Sequence, residues 1–313
     1  MQTTDRLKRA FENPRLLARG LNRVYHRRGG VRSENPIGGE VFEEDWDTLI
    51  VLDGCRYDMF EKVNHLDGKL SAKYSKGSAT TEWLRANFDG RDLNDTVYVT
   101  ANPQLERNRQ DWDVNLHQTI NVWLEDGWDK ETGTVLADTV TEAAVDTFER
   151  FPNKRLVVHY MQPHYPFVRS DTEFDKKHLS TIEGNGDSPI GENVWNQKFT
   201  GDLGISCGDL WTMYIDNLEY VLEHVRELLN SVPGKTVVTS DHGNYVGERA
   251  SPIPIREYGH PRGVYDDVVV RVPWLVCENG PRRKITAGAI EKQTPDVESE
   301  IVTDRLQHLG YKE

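Results

Sequence analysis

Five short apolar runs punctuate the chain: DTLIVLDG (47–54), TVYVTAN (96–102), RLVVHYM (155–161), KTVVTSDHG (235–243) and PWLVCE (273–278). Helical patterns lie between them, among them TVLADTVTEAAVDTFERF and LWTMYIDNLEYVLEHVRELLNSV. Strand and helix signals in alternation predict an α/β fold, a mostly parallel central sheet flanked by helices on both faces. Ligands of such sheets bind beyond the carboxyl ends of the strands. The polar residues that follow the apolar runs are therefore the ones to inspect: Asp53, Asn102, His159 with His164, and Asp241 with His242.

At 313 residues the chain suits one large domain with a small appendage. The division expected is a basic amphipathic N-terminal segment with linker over 1–40 and an α/β catalytic domain over 41–313. The first 32 residues hold nine Lys or Arg and two acidic residues, a charge of +7 within a net −13, so the body carries −20. An acidic body argues against broad nucleic-acid binding. Asn13-Pro14 reads as a helix start. Leu17, Leu21 and Val24 then share one helical face with Tyr25 beside them, while Arg15, Arg19 and Arg23 lie off it. Such a helix either packs on the acidic body or makes a peripheral contact with an anionic membrane face or a partner. Cys55, Cys207 and Cys277 are far apart and form no metal or disulfide pattern, and no apolar signal region stands at the N-terminus. Both points predict a cytoplasmic protein, peripheral at the inner membrane face if the helix binds there. The polar, Gly-rich stretch from about 169 to 205 reads as a loop over the site or a surface excursion.

TSDHGNY (239–245) asks the sharpest chemical question, because a run of strand formers delivers an Asp-His pair to one point. It is either a surface turn or an oxygen and an imidazole nitrogen offered to one cation. The rest of the chain favours the cation. IVLDGCRYD, SATTEWLRANFDG, HYMQPHYPF, TSDHGNYVGER and YGHPRGVYDDVVVRVPWLV occur in an order that resembles the alkaline phosphatase superfamily, its sulfatase-like branch most closely, from about residue 46 to the closing LQHLGYKE.

The resemblance implies the following roles. Asp53, Asp241, His242 and the Thr80 hydroxyl hold one divalent cation, with calcium, magnesium or manganese preferred and zinc next. Gly54 stands where sulfatases often have a second acidic ligand; water or a nearby side chain completes the shell, Asp58 being in reach by sequence but more simply an exposed helix-start carboxylate. Thr80 falls where sulfatases carry the formylglycine cysteine, with Gly90 ten residues on, but Glu82 and Leu84 replace the Pro and Arg of that motif. A hydroxyl beside a divalent cation ionises more readily and becomes a nucleophile; the alternative is a helix N-cap, and Ser78 and Thr81 are the neighbours in reach of the same role. Cys55 reads as a small buried residue. Gln162 and Val168 break the pattern of a second metal, whereas Pro163-His164-Tyr165-Pro166 keeps the sulfatase-like one. His164 then touches the ester oxygens or protonates the leaving group, and His159 reads as a packed core residue. Asn102 is either a substrate contact or a turn residue before Pro103. His260 and Arg262 supply positive charge to the transition state.

The function implied is a metal-dependent hydrolase or transferase acting on anionic phosphate esters, mono- or diesters, through a covalent phospho-threonine. A sulfatase and a non-catalytic binding protein of the same fold are the alternatives.

Overall fold

The computed structural model describes residues 14–170, 194–288 and 299–310. The chain opens with helix α1 (Pro14–His26) and reaches its first strand, β1 (Thr48–Leu52). There follow α2 (Tyr57–Val63), β2 (Lys69–Tyr74), α3 (Thr80–Phe88), β3 (Arg91–Thr100), α4 (Gln104–Asn108), β4 (Val114–Asn121), α5 (Ala137–Arg150) and β5 (Arg155–Tyr160). After residues 171–193 come α6 (Val194–Thr200), the long α7 (Cys207–Ser231), β6 (Lys235–Thr239), a hairpin of β7 (Tyr245–Arg249) and β8 (Arg256–Gly259), α8 (Asp267–Val270), β9 (Arg271–Glu278) and α9 (Ser299–His308).

The main sheet has seven strands in the order β2-β9-β6-β1-β5-β3-β4. From β6 to β4 every neighbouring pair is parallel, and β9 runs antiparallel to both β6 and β2. The inner strands β1, β5 and β6 are almost wholly buried, as their unbroken apolar runs require of strands covered on both faces. One face is covered by α2, α5, α7 and α9, whose Phe60, Val140, Leu218, Val221 and Leu306 join Ile50, Leu52 and Val158 of the strands. The other is covered by α3 and α4, with Trp83, Leu84, Phe88 and Leu105 against Leu49, Val51, Tyr98 and Val237. The expected α/β architecture is the one observed.

Two stretches differ from the sequence expectation. PWLVCE forms a strand, but an antiparallel one, so its carboxyl end points away from the site. Residues 29–40, read as a linker, are tied to the body: the Asn35 side chain is buried and donates to the Ser75 carbonyl at 2.8 Å, while its backbone N–H donates to Lys76 at 2.7 Å. Of the stretch 169–205, residues 171–193 lie outside the described residues.

Candidate metal and ester site

Strands β6, β1, β5 and β3 are consecutive in the sheet and parallel, so their carboxyl ends share one edge. That edge carries Asp241 and His242 after β6, Asp53 after β1, His159 near the end of β5, His164 just beyond it, and Asn102 after β3. All six are buried.

Asp241 is held through one oxygen only. Its Oδ1 accepts from the Gly54 N–H at 3.0 Å and from the His242 N–H at 2.9 Å. Its Oδ2 accepts no hydrogen bond and lies 3.3 Å from His242 Nε2 and 4.0 Å from His159 Nε2. Burial alone would raise this carboxyl, but the imidazoles of His242 and His159 outweigh it and hold the group below the usual carboxylate range. Asp53 faces the same point. Its Oδ2 accepts from the Asn102 amide at 2.7 Å and from the Thr80 hydroxyl at 3.4 Å, and its Oδ1 is 3.7 Å from His242 Nε2.

Both imidazoles are oriented by their far nitrogens. His242 Nδ1 lies 2.8 Å from the Gly243 carbonyl and donates to it, which turns Nε2 toward the two carboxylates. His159 Nδ1 lies 2.7 Å from the Tyr98 hydroxyl, and its Nε2 has no hydrogen-bond partner although it is fully buried. Burial pushes His159 down to about 4, so the ring is neutral at physiological pH. A buried carboxylate oxygen and a buried imidazole nitrogen, both unsatisfied and aimed at one point, are costly unless something binds between them. One donor atom each from Asp53, His159 and Asp241 lies within 4.8 Å of the others, the sole such group of three among the described residues. The donor set therefore fits a divalent cation. His159, read from the sequence as a core residue, belongs to this cluster; its placement at the end of a parallel strand was the signal available.

Thr80 is the first residue of α3. The N-cap is Ala79, and no side chain caps the helix. The Thr80 hydroxyl instead points to the cluster, 3.3 Å from His242 Nε2. Ser78 is engaged elsewhere: its hydroxyl donates to Glu82 at 2.9 Å and accepts from the Gly263 N–H at 2.8 Å. The helix N-terminus leaves backbone amides beside Thr80, which favours an anion there.

Gly54 explains the missing acidic neighbour. Its φ is +70°, and a Cβ would stand 2.7 Å from the Tyr214 hydroxyl, which donates to the Gly54 carbonyl at 3.0 Å. Asp58 does not replace that ligand, since its carboxylate is bound by Arg56 at 2.7 Å. Cys55 is fully buried and its thiol is pushed well up by that burial, which makes it inert.

The outer part of the site is made of histidines. His164 Nδ1 is 2.7 Å from the Tyr165 carbonyl, so its Nε2 faces His260 Nε2 as an acceptor at 3.1 Å. His260 also stacks on His242, with ring centroids 4.2 Å apart. Burial lowers His164 to about 4 and His260 well below its usual value, each helped by the neighbouring imidazoles. Arg262 is exposed, with its guanidinium 3.9 Å from Glu82. Asn102 serves Asp53, and its carbonyl accepts from the Gln104 N–H at 2.9 Å, so both ends of its amide are engaged at the strand end. Gln162 donates to the Val135 carbonyl at 2.9 Å.

No protein-family model and no curated protein matches this chain. Among solved structures it is similar to the C-terminal periplasmic domain of the phosphoethanolamine transferase EptC from Campylobacter jejuni, with 15% identity over 74% of this chain and 78% of that one and a TM-score of 0.46. It is also similar to the corresponding EptC domain from Escherichia coli in a complex with Zn, with 14% identity, 76% and 75% coverage and a TM-score of 0.41. A phosphonate monoester hydrolase from Silicibacter pomeroyi matches with 11% identity, 84% and 72% coverage and a TM-score of 0.34. The compartment expected from the sequence is corrected. Both EptC domains are periplasmic, and the cytoplasmic assignment, with its inner-face variant, is not kept. Its physical ground was slight: Cys55 and Cys277 are buried and all three cysteines are free, so their spacing carries no information about redox environment.

Proposed function

We propose that this chain is a metal-dependent phosphotransferase or phosphohydrolase that works through a covalent phospho-threonine on Thr80. The observation that carries the reading is the Thr80 hydroxyl, which opens a helix 3.4 Å from Asp53 and 3.3 Å from His242 instead of capping that helix.

Asp53, Asp241, His242 and Thr80 would hold one divalent cation, with His159 as an added donor beside Asp53 and Asp241. Two imidazoles beside two carboxylates suit zinc or manganese better than the calcium and magnesium preferred from the motifs. When bound, the cation makes the hydroxyl easier to ionise and offsets the charge of the ester. The chain does the rest. The amides that open α3 bind the anionic ester oxygens. Thr80 Oγ1 forms the bond to phosphorus while its proton moves toward Asp53 Oδ2, the acceptor it already faces. The bond from phosphorus to the leaving oxygen would break, and that oxygen would take a proton from solvent, since burial keeps His164 and His260 neutral; the two rings orient the ester beside the cluster. Water or an acceptor alcohol would then attack the phospho-threonine and lose its proton to solvent, while Asp53 returns the first proton to Thr80 Oγ1 as that oxygen leaves phosphorus. Arg262 adds positive charge on the exposed side. Phosphorus is preferred over sulfur because a plain threonine lacks the aldehyde-hydrate route by which a formylglycine releases sulfate.

The test is a panel of aryl phosphate monoester, phosphodiester and sulfate ester, assayed with zinc, manganese, magnesium and calcium, with intact-mass analysis after quenching. The reading expects turnover of a phosphate ester and an added phosphate on the peptide holding Thr80. Turnover of the sulfate ester alone would establish the sulfatase alternative. Cation binding without turnover of any ester would leave a binding protein of the same fold.

A further inference from the structure

Helix α1 is docked with its polar side inward. Asn22 is fully buried, donating to the Ile253 carbonyl at 3.0 Å and accepting from the Ile253 N–H at 2.8 Å. Arg19 forms a two-pronged pair with the buried Glu257, donates to Asn196 at 2.7 Å, and lies 3.6 Å over the Phe199 ring. His26 reaches the Ser251 carbonyl at 3.0 Å and Asp266 at 3.4 Å. These contacts fix the rotation of the helix, and Leu17, Leu21, Val24 and Tyr25 consequently face outward, 44 to 58% exposed. An amphipathic helix that served only as a strap would bury that stripe.

The exposure is confined to one part of the molecule. Of the seven exposed large apolar residues among those described, six lie between Leu17 and Ile37, Val31 being 88% exposed and Ile37 67%. Residues 14–32 carry six arginines and no acidic residue, and Arg15, Arg23 and Arg28 are exposed beside the stripe. Arg28 lies 5.0 Å over the Tyr25 ring, which leaves its charge at the edge of the apolar face. The surface is thus apolar in the middle and cationic at its margin, on a body whose remaining charge is strongly negative. No described helix is long and apolar enough to cross a membrane.

We propose that α1 and the segment to Ile37 form an interfacial docking surface for an anionic lipid bilayer, with Leu17, Leu21, Val24 and Val31 entering the headgroup boundary and the arginines pairing with lipid phosphates. Charge complementarity selects this occupant. A second copy presenting the same face would oppose arginine to arginine, whereas anionic headgroups neutralise the margin and accept the apolar stripe together. The surface adjoins the site, because Arg23 and Arg27 pack on Gly263, next to Arg262. The binding claim stands apart from the catalytic reading.

The test is co-sedimentation of the full chain with vesicles of phosphatidylcholine alone and of phosphatidylcholine mixed with phosphatidylglycerol. The proposal expects binding to the anionic vesicles, weaker binding to the neutral ones, and a drop of at least about tenfold for Leu17→Gln/Leu21→Gln/Val24→Gln. Arg23→Gln/Arg28→Gln should lower binding at low salt and leave less for added salt to remove. Should the triple variant prove unstable, Leu21→Glu alone carries the same expectation, since that side chain projects from the fold. Sedimentation of wild type with neither vesicle, or equal sedimentation of wild type and the apolar variants, overturns the proposal. So does a dimer that becomes a monomer in the triple variant while neither form binds vesicles, which would assign the face to a second copy.

Discussion

His159 and Gly54 bear the chemistry that separates this site from a generic one. In the folded chain, a side chain in place of Gly54 would meet Tyr214, and the backbone there is left-handed. Gly54→Asp, the change that would restore a sulfatase-like pair of carboxylates, should therefore destabilise the fold by about 2–4 kcal/mol, from left-handed strain and overpacking together. Chemical denaturation measures it, and an unchanged midpoint would show that Tyr214 yields. His159 offers a further donor beside the two carboxylates. His159→Gln should weaken cation binding by about tenfold or more, because a donor at the cluster is worth at least what an outer partner is; isothermal titration with zinc and with manganese reads this directly. Thr80 divides along the same line. Thr80→Ala should abolish turnover and change stability little, since the hydroxyl caps no helix, and Thr80→Ser should keep part of the activity. A phosphate trapped on Ser78 or Thr81 would move the nucleophile. Asp53, Asp241 and His242 stand out because each follows an apolar run, whereas Thr80 is singled out only by the resemblance, ten residues before Gly90. The motifs leave His159 as a core residue, although its place near the end of an apolar run puts it among the residues to inspect.

The elements explain which parts of the fold could be read. The parallel strands β1, β5 and β6 are continuous apolar runs bounded by polar residues, and α5 and α7 hold a long 3.6-residue period, so all five stand out from their surroundings. Strand β4, VNLHQTIN, and the edge strand β2, KLSAKY, alternate polar with apolar residues, and β7 and β8 are too short to carry a period. The direction of β9 was illegible for a different reason: it is set by the partner it pairs with, not by its own residues. Helix α1 shows the same limit, since its amphipathic pattern was plain and the side it presents to the body was decided by Asn22, Arg19 and His26. The docking of that helix has a pH dependence. Burial would raise the Asp266 carboxyl, but hydrogen bonds from His26, Ser251 and Tyr245 outweigh it and hold the group at about 2, against 3.8 for a free side chain. A depressed carboxyl stabilises the fold fully above the unfolded value, and that contribution is lost as the pH falls through the folded one. Melting temperatures of wild type should thus fall between about pH 4 and pH 2 more steeply than those of Asp266→Asn. Parallel profiles for the two would remove Asp266 from the account.

At the scale of the molecule, the candidate cation site joins parts of the chain that are distant in sequence. Asp53 ends β1, Thr80 opens α3, His159 lies in β5, and Asp241 and His242 follow β6, so a cation held there would bind three strands and a helix at one point. Without it, the fold keeps two buried carboxylates near one another, with Asp241 Oδ2 and His159 Nε2 unsatisfied. A ligand that binds only the folded state stabilises it in proportion to the logarithm of its concentration over its dissociation constant. At a hundredfold excess over that constant the gain is about 2.7 kcal/mol, enough to raise the melting temperature by several degrees in a chain of this size. The prediction is a melting temperature that rises with added zinc or manganese and falls on chelation, an effect lost in Asp241→Asn, where the site is emptied of one charge and the backbone amides keep an acceptor. The measurement needs no substrate and no assumption about the reaction, so it separates the metal site from the chemistry proposed on it. Identical melting in chelator and in each of zinc, manganese, magnesium and calcium would leave the buried carboxylates without a cation and withdraw the metal-dependent mechanism. A response in Asp241→Asn equal to that of wild type would place the bound ion elsewhere in the fold.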